Sequence, residues 1–270
     1  MTLTVTIGNR TLSFAYCHSE NEPPCAVFRI AASPARTAEE YAALVGAMAE
    51  RALPDAAPSV AIIASVVPPL TDEISAAIRL LYPEVTCLTV GAGLRSGLTI
   101  RTDSPAELGA DLVASAVGAS LLQKPPFLVL SCGDVTTLSA VGEEKGAPAY
   151  LGCAILPGTG LGMTALRERA ALLSTVALSR PVHAIGKSTA DSVRAGLLLG
   201  QVAAIERLIA DFTSEMGAEQ LPVIATGEEA ELLLPLLPSY VRFERELAHT
   251  GLCHLAALNA RKSGNPHRRG

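Results

Sequence analysis

Two turns in this sequence have the makings of a phosphate cradle. Gly8-Asn9-Arg10 follows the apolar run Leu3-Thr4-Val5-Thr6-Ile7, and Gly133-Asp134 follows Phe127-Leu128-Val129-Leu130-Ser131-Cys132. Glycine at the end of a strand lets the chain turn tightly and lets a phosphate reach backbone N–H groups without meeting a Cβ. Either turn by itself is equally what an ordinary hairpin needs. As a pair they carry more weight, because two such loops could grip one nucleotide. Other chemistry is sparse: the six cysteines form no C-x-x-C pair and have no histidine at metal-ligand spacing, so no metal site is expected. Free, mostly buried thiols are the expectation instead.

The elements that must carry these turns follow from periodicity. Strands are expected over 2–7, 11–16 and 26–30, then a helix opening at Thr37, whose spacing to Glu40 is that of a capping box. A buried-type strand over 59–64, a helix over 71–81 after Pro68-Pro69, a strand over 85–90 and a helix over 106–122 complete the first half. At Pro125-Pro126 the pattern restarts. A strand over 127–131 and another from 135 flank Gly133, so Gly8-Asn9-Arg10-Thr11-Leu12-Ser13 is echoed by Gly133-Asp134-Val135-Thr136-Thr137-Leu138-Ser139. That is an internal duplication at half-chain scale. Helices are expected over 159–173, 189–216, from 228, and over 247–260, with a strand over 221–225. The expected halves are 1–123 and 124–260, with 261–270 a flexible basic tail.

Composition bounds the function. Of 270 residues, 49% are hydrophobic and only 17% charged, with no Trp, which suits an Ala-, Leu-, Val- and Ile-rich buried sheet covered by helices. The net charge of −5 and the absence of a basic stripe argue against nucleic acid as a partner. No signal peptide and no apolar run near the ~20 residues of a membrane span are evident. A soluble, cytoplasmic protein is expected.

Several stretches, in order and spacing, resemble the type III pantothenate kinases from residue 5 to about 259. They are Ile7-Gly8-Asn9, Arg36-Thr37-Ala38-Glu39-Glu40-Tyr41, Ala64-Ser65-Val66-Val67-Pro68, Gly91-Ala92-Gly93-Leu94-Arg95-Ser96-Gly97-Leu98, Glu107-Leu108-Gly109-Ala110-Asp111, Gly152 to Gly158, and Ala225-Thr226-Gly227. The resemblance implies an α/β, duplicated actin-like (ribonuclease H-like, ASKHA) fold with two halves around a cleft. It also implies a dimer that phosphorylates pantothenate with ATP, Mg2+ and a monovalent cation (K+ or NH4+) toward coenzyme A. By that resemblance Asp111 is the general base, which alone would read as a helix-surface carboxylate. Gly91, Gly93, Arg95, Gly97 and Gly109 shape the pantothenate pocket. Gly8, Asn9, Arg10, Gly133, Thr136, Thr137 and Gly227 face ATP. Thr189, after Ser188 at a helix start, completes the pocket of the neighbouring subunit; either residue also suits an N-cap.

The chain departs from the family where charge matters. The family opens its two turns with aspartate; here those positions are Thr6 and Ser131. Where a threonine would face the phosphates stands Asp134. Two like unit charges ~4 Å apart repel by about 4 kcal/mol at an effective dielectric of ~20. The triplet Thr-Gly-Gly is Thr226-Gly227-Glu228, and three substrate contacts have become Thr102, Ser104 and Leu112. Losing a cation opposite a carboxylate substrate weakens binding by ~2–4 kcal/mol. Three readings follow: a degenerate subunit partnered with a related catalytic chain, an active homodimer with unusual site residues, or a catalytically silent accessory protein. They differ in whether the isolated chain is an active enzyme.

Overall fold

The structure is a computed structural model that describes residues 1–20, 22–169 and 176–260. The chain divides into two compact units, Met1–Leu122 joined by the segment from Glu246, and Gln123–Arg245. The tail 261–270 and the last part of the helix expected to reach 173 lie outside the described residues.

The first unit is built on β1 (Thr2–Ile7), β2 (Thr11–Cys17), β3 (Ala26–Ala31), β4 (Val60–Ser65) and β5 (Thr86–Thr89), in the spatial order β3-β2-β1-β4-β5. β1, β2 and β3 form an antiparallel meander, whereas β4 and β5 join parallel to β1. Alternation along β1 decides what covers each face. Leu3, Val5 and Ile7 pack with Tyr41, Val45, Ile74 and Ile78 of α1 (Ala38–Ala52) and α2 (Pro68–Leu81). The capping box expected at Thr37 is present: its hydroxyl accepts from Glu40 N–H, and its N–H donates to the Glu40 carboxylate at 3.0 Å.

Thr4 points the other way, toward α8 (Leu247–Ala260). The buried ring of His249 bridges Thr4 Oγ1 at 2.8 Å and Ser13 Oγ at 2.9 Å. Burial, helped by the Arg29 charge, pushes this imidazole down to about 3, so it sits neutral between two hydroxyls. The sequence expectation placed this last helix in the second half. Instead it packs on α3 (Ala110–Leu122), β1 and β4 of the first unit. The physical reason is a helix crossing that only glycine permits. A Cβ on Gly251 would collide with the Ala114 carbonyl oxygen, and one on Gly118 with that of Leu247. Gly251→Ala should therefore cost about 1–3 kcal/mol by forcing the two backbones apart, read as a lowered urea midpoint. An unchanged midpoint would mean the crossing can slide.

The second unit repeats the plan: β7 (Phe127–Cys132), β8 (Val135–Glu144) and β9 (Ala147–Pro157) form an antiparallel meander. Then β10 (Val223–Thr226) joins parallel to β7, and β11 (Val241–Phe243) parallel to β10. Its order β9-β8-β7-β10-β11 is that of the first unit, strand for strand. A short strand, β6 (Thr99–Ile100), precedes α3. Leu128, Leu130 and Cys132 of β7 pack against Val202, Ile205 and Ile209 of α6 (Gly200–Glu215) and Leu233 of α7 (Ala230–Leu233). The helix expected over 189–216 runs from α5 (Thr189–Arg194) through a π turn, Ala195–Leu199, into α6. α4 (Thr159–Arg169) follows β9 directly.

Candidate functional site

In the first unit, β1 and β2 pair up to Ile7 opposite Leu12, which leaves Gly8, Asn9 and Arg10 as the turn. Gly8 N–H donates to the Thr11 carbonyl at 3.0 Å, while Asn9 and Arg10 are exposed. In the second unit the ladder closes at Cys132 opposite Thr136, and Gly133 to Val135 make the equivalent turn. Thr136 and Thr137 sit at the start of β8 with buried hydroxyls that have no hydrogen-bond partner among the described residues. Buried orphan hydroxyls are uncommon in folded proteins, and a site that receives a ligand is one reason to keep them.

The second turn is held by two backbone contacts that exclude side chains. A Cβ on Gly158 would strike the Gly133 carbonyl, and Gly158 N–H donates to the Asp134 carbonyl at 2.7 Å. Gly227, at φ 100°, lies against the Cys132 carbonyl with no room for a Cβ. Glu229 closes this arrangement. Its N–H donates to the Cys132 carbonyl at 3.0 Å, and its carboxylate accepts from Thr159 N–H at 2.8 Å, Thr159 Oγ1 at 2.6 Å and Gly160 N–H at 3.0 Å. The N-terminus of α4 is thereby capped from another loop. Burial, then the Glu229 charge, pushes the neighbouring Cys132 thiol up to about 12 and leaves it inert.

Asp111 occupies the first turn of α3. Burial raises its carboxyl above the usual aspartate value, while the N–H groups of Leu112 and of Asp111 itself pull it down. Its Oδ1 folds back over Gly109, where a Cβ would stand 2.5 Å away. A carboxylate held short of full solvation is a stronger proton acceptor than one in water. The loop Gly91 to Gly97 turns through Gly93 at φ 92° and Gly97 at φ 70°, and it exposes Arg95. Thr102, ahead of α3, has a buried hydroxyl with no partner among the described residues.

Thr189 is exposed at the start of α5. The cap is its neighbour: Ser188 Oγ accepts from Asp191 N–H at 3.1 Å. Just upstream, Val182 and Ile185 are 87% and 82% exposed.

A sequence profile of the type III pantothenate kinases matches residues 2–211. The chain belongs to the type III pantothenate kinase family. The family member of Shouchella clausii is 32% identical over 262 residues, spanning 96% of this chain and 100% of that one. The member from Anaeromyxobacter sp. is 35% identical over 254 residues, 93% of this chain and 97% of that one. Among solved structures, a Campylobacter jejuni protein named for the Baf family of transcriptional activators aligns with a TM-score of 0.58 at 15% identity, covering 96% of this chain and 99% of that one. The Clostridium difficile activator of 2-hydroxyisocaproyl-CoA dehydratase, solved with bound ADPNP, aligns at 0.55 and 10% identity over 100% of this chain and 98% of that one. These neighbours show the actin-like α/β fold.

Within this pantothenate kinase family chain, the strand ends that open the two turns carry Thr6 and Ser131, both half-buried. Neither supplies an anionic oxygen, and both Glu229 oxygens are taken up by the start of α4. Among the described residues no group of three His, Cys, Asp or Glu side chains could hold a metal ion. At these two strand ends a Mg2+ ion finds no carboxylate, of which it usually takes one or two besides the substrate's phosphates. Two residues had no signal in the sequence: Glu229, whose partners lie 69 and 70 positions away, and Asn259, which bonds the backbone of Arg95 across 164 positions. No described helix is long and apolar enough to cross a membrane.

Proposed function

We propose that this chain is a pantothenate kinase subunit that works as a heterodimer with a related chain whose phosphate loops are intact. The reaction is transfer of the ATP γ-phosphoryl group to the pantothenate hydroxyl, giving phosphopantothenate and ADP, with Mg2+ and K+ or NH4+ as the accompanying cations. In the heterodimer the partner's loops hold ATP and this chain, through Thr189, completes the partner's pantothenate pocket; where this chain itself turns over, Asp111 accepts the hydroxyl proton as that oxygen bonds to phosphorus. Arg95 and the glycine turns around it orient pantothenate.

What carries the reading is a mismatch in what has been kept. Gly109, Asp111 and the glycines of the Gly91 to Gly97 loop match the family pattern in sequence, and Thr189 is exposed, a few residues after the exposed side chains of Val182 and Ile185. Exposed apolar residues beside a family interface position favour a covered surface in the assembly. The triphosphate loops, by contrast, have lost their charge complement. Coexpression with a second family chain from the same genome is the test: a stable heterodimer should form phosphopantothenate at a rate far above either chain alone. A pair no faster than the partner alone removes the proposal.

A second reading, an active homodimer, is favoured by one observation. The raised Asp111 carboxyl is what a working base needs. Turnover by the pure single chain would decide for it.

A further inference from the structure

The Gly91 to Leu98 loop has no ladder of its own to hold it. It lies between β5 and β6, and two of its glycines adopt left-handed backbone, so an isolated loop of this sequence would sample many shapes. One point of it is pinned. Asn259, in the last turn of α8, accepts from the Arg95 N–H through Oδ1 at 3.1 Å and donates to the Arg95 carbonyl through Nδ2 at 2.9 Å. One carboxamide thus gives Arg95 both bonds that a neighbouring strand would give. The same Nδ2 donates to the Leu255 carbonyl at 2.7 Å, one turn back, which fixes the orientation of the amide.

The other restraint on α8 is its crossing with α3. Gly251 against Ala114, and Gly118 against Leu247, bring the two backbones into contact with no room for a Cβ between them. Asp111 stands in the first turn of α3. A single helix therefore holds the loop bearing Arg95 by a side-chain clamp and the helix bearing Asp111 by direct backbone contact.

We propose that Asn259 is a positioning residue for pantothenate. Through α8 it sets where the Arg95 loop stands relative to Asp111, and it does so without touching substrate. This rests on the reading of Arg95 and Asp111 as pantothenate-pocket residues. Preorganisation is the physical effect: an untethered loop must be ordered by the substrate, at the expense of affinity.

Asn259→Ala and Asn259→Gln in the full chain test it, by calorimetric titration with pantothenate and by amide hydrogen exchange without ligand. The expected result for Asn259→Ala is loss of exchange protection at Arg95 and its neighbours, and pantothenate binding weakened by about tenfold or more. Protection of α3 and of the middle of α8 should stay unchanged. Asn259→Gln, which keeps the carboxamide, should recover part of the affinity. Unchanged pantothenate affinity in Asn259→Ala overturns the clamp alone, as does a glutamine variant no better than alanine. A wild-type chain that takes no pantothenate overturns the substrate reading and this inference together.

Discussion

Asp134→Thr should raise the affinity of this protein for MgATP by about 10- to 1000-fold, with Ser131 left as it is. The upper figure is the bare ~4 kcal/mol of repulsion between like charges ~4 Å apart, and the lower allows for Asp134's own interaction and for screening by solvent and salt. Asp134 is half-buried in the turn after β7, and its backbone carbonyl is already committed to Gly158 N–H. The residue's carboxylate therefore stays with the turn, since the main chain that carries it is tied down. Glu229, already seated on the start of α4, adds a second negative charge to the same group of loops. A triphosphate arriving there meets repulsion where the family offers a hydroxyl. The gain on substitution should be largest at low ionic strength and shrink as salt is added, which a calorimetric series would record. Equal affinity of variant and wild type at every salt concentration would mean that something else keeps nucleotide out. It would also remove the main reason for regarding these loops as degenerate.

Much of the fold could be read from residue order because local rules and tertiary demands agreed. Alternating apolar positions in β1 and the continuous apolar run in β7 name their strands, and Thr37 with Glu40 marks the start of α1. The duplication was visible because a glycine follows the first strand of each unit. Elements without such signals were harder. No strand is expected from the sequence of β9, whose eleven residues mix buried and exposed positions without clean alternation and begin and end near proline. Its hairpin turn is Lys145-Gly146, both at positive φ, 51° and 81°, without the Asn-Gly or Asp-Gly pair that usually announces such a turn. α8 was legible as a helix but not as part of the first unit. Leu247, His249, Gly251, Leu252, Cys253, Leu255 and Ala256 are all buried, so the helix is covered nearly all round and its sequence has no face that selects a sheet.

The candidate site divides along the same line. Gly109 and Gly227 stood out through the family resemblance, and at Gly227 the structure supplies the reason: a left-handed φ with the Cys132 carbonyl in the place of a Cβ, which only glycine tolerates. Glu229 and Asn259 gave no hint. A carboxylate that caps a helix from another loop, or a carboxamide that bonds a distant backbone, has no periodicity and no fixed spacing to its partner. The same physics makes such residues easy to miss and hard to replace.

Asp111→Asn should separate stability from chemistry, moving them in opposite directions. Removing a general base costs about 10²- to 10⁴-fold in rate, so in a homodimer phosphopantothenate formation should fall by that factor with little change in substrate affinity, whereas a heterodimer whose partner holds ATP beside its own base should keep its rate. Stability near neutral pH should rise. The folded carboxyl titrates above its ordinary value of 3.8 because burial penalises the charged form more than the Leu112 N–H and its own N–H favour it. The stability that the protonated acid contributes is complete below the unfolded pKa and is lost as pH rises through the folded one. Asparagine mimics the neutral acid at every pH. The variant's advantage should therefore be near zero in acid, open as pH climbs through the folded pKa, and stay level beyond it. Denaturant melts of both proteins across that range would show it. A variant less stable than wild type at neutral pH would mean that the amides at the start of α3 outweigh burial, and that Asp111 is an anchor for its helix. A more stable but inactive variant is the signature of a charge kept in an unfavourable place for the sake of proton transfer.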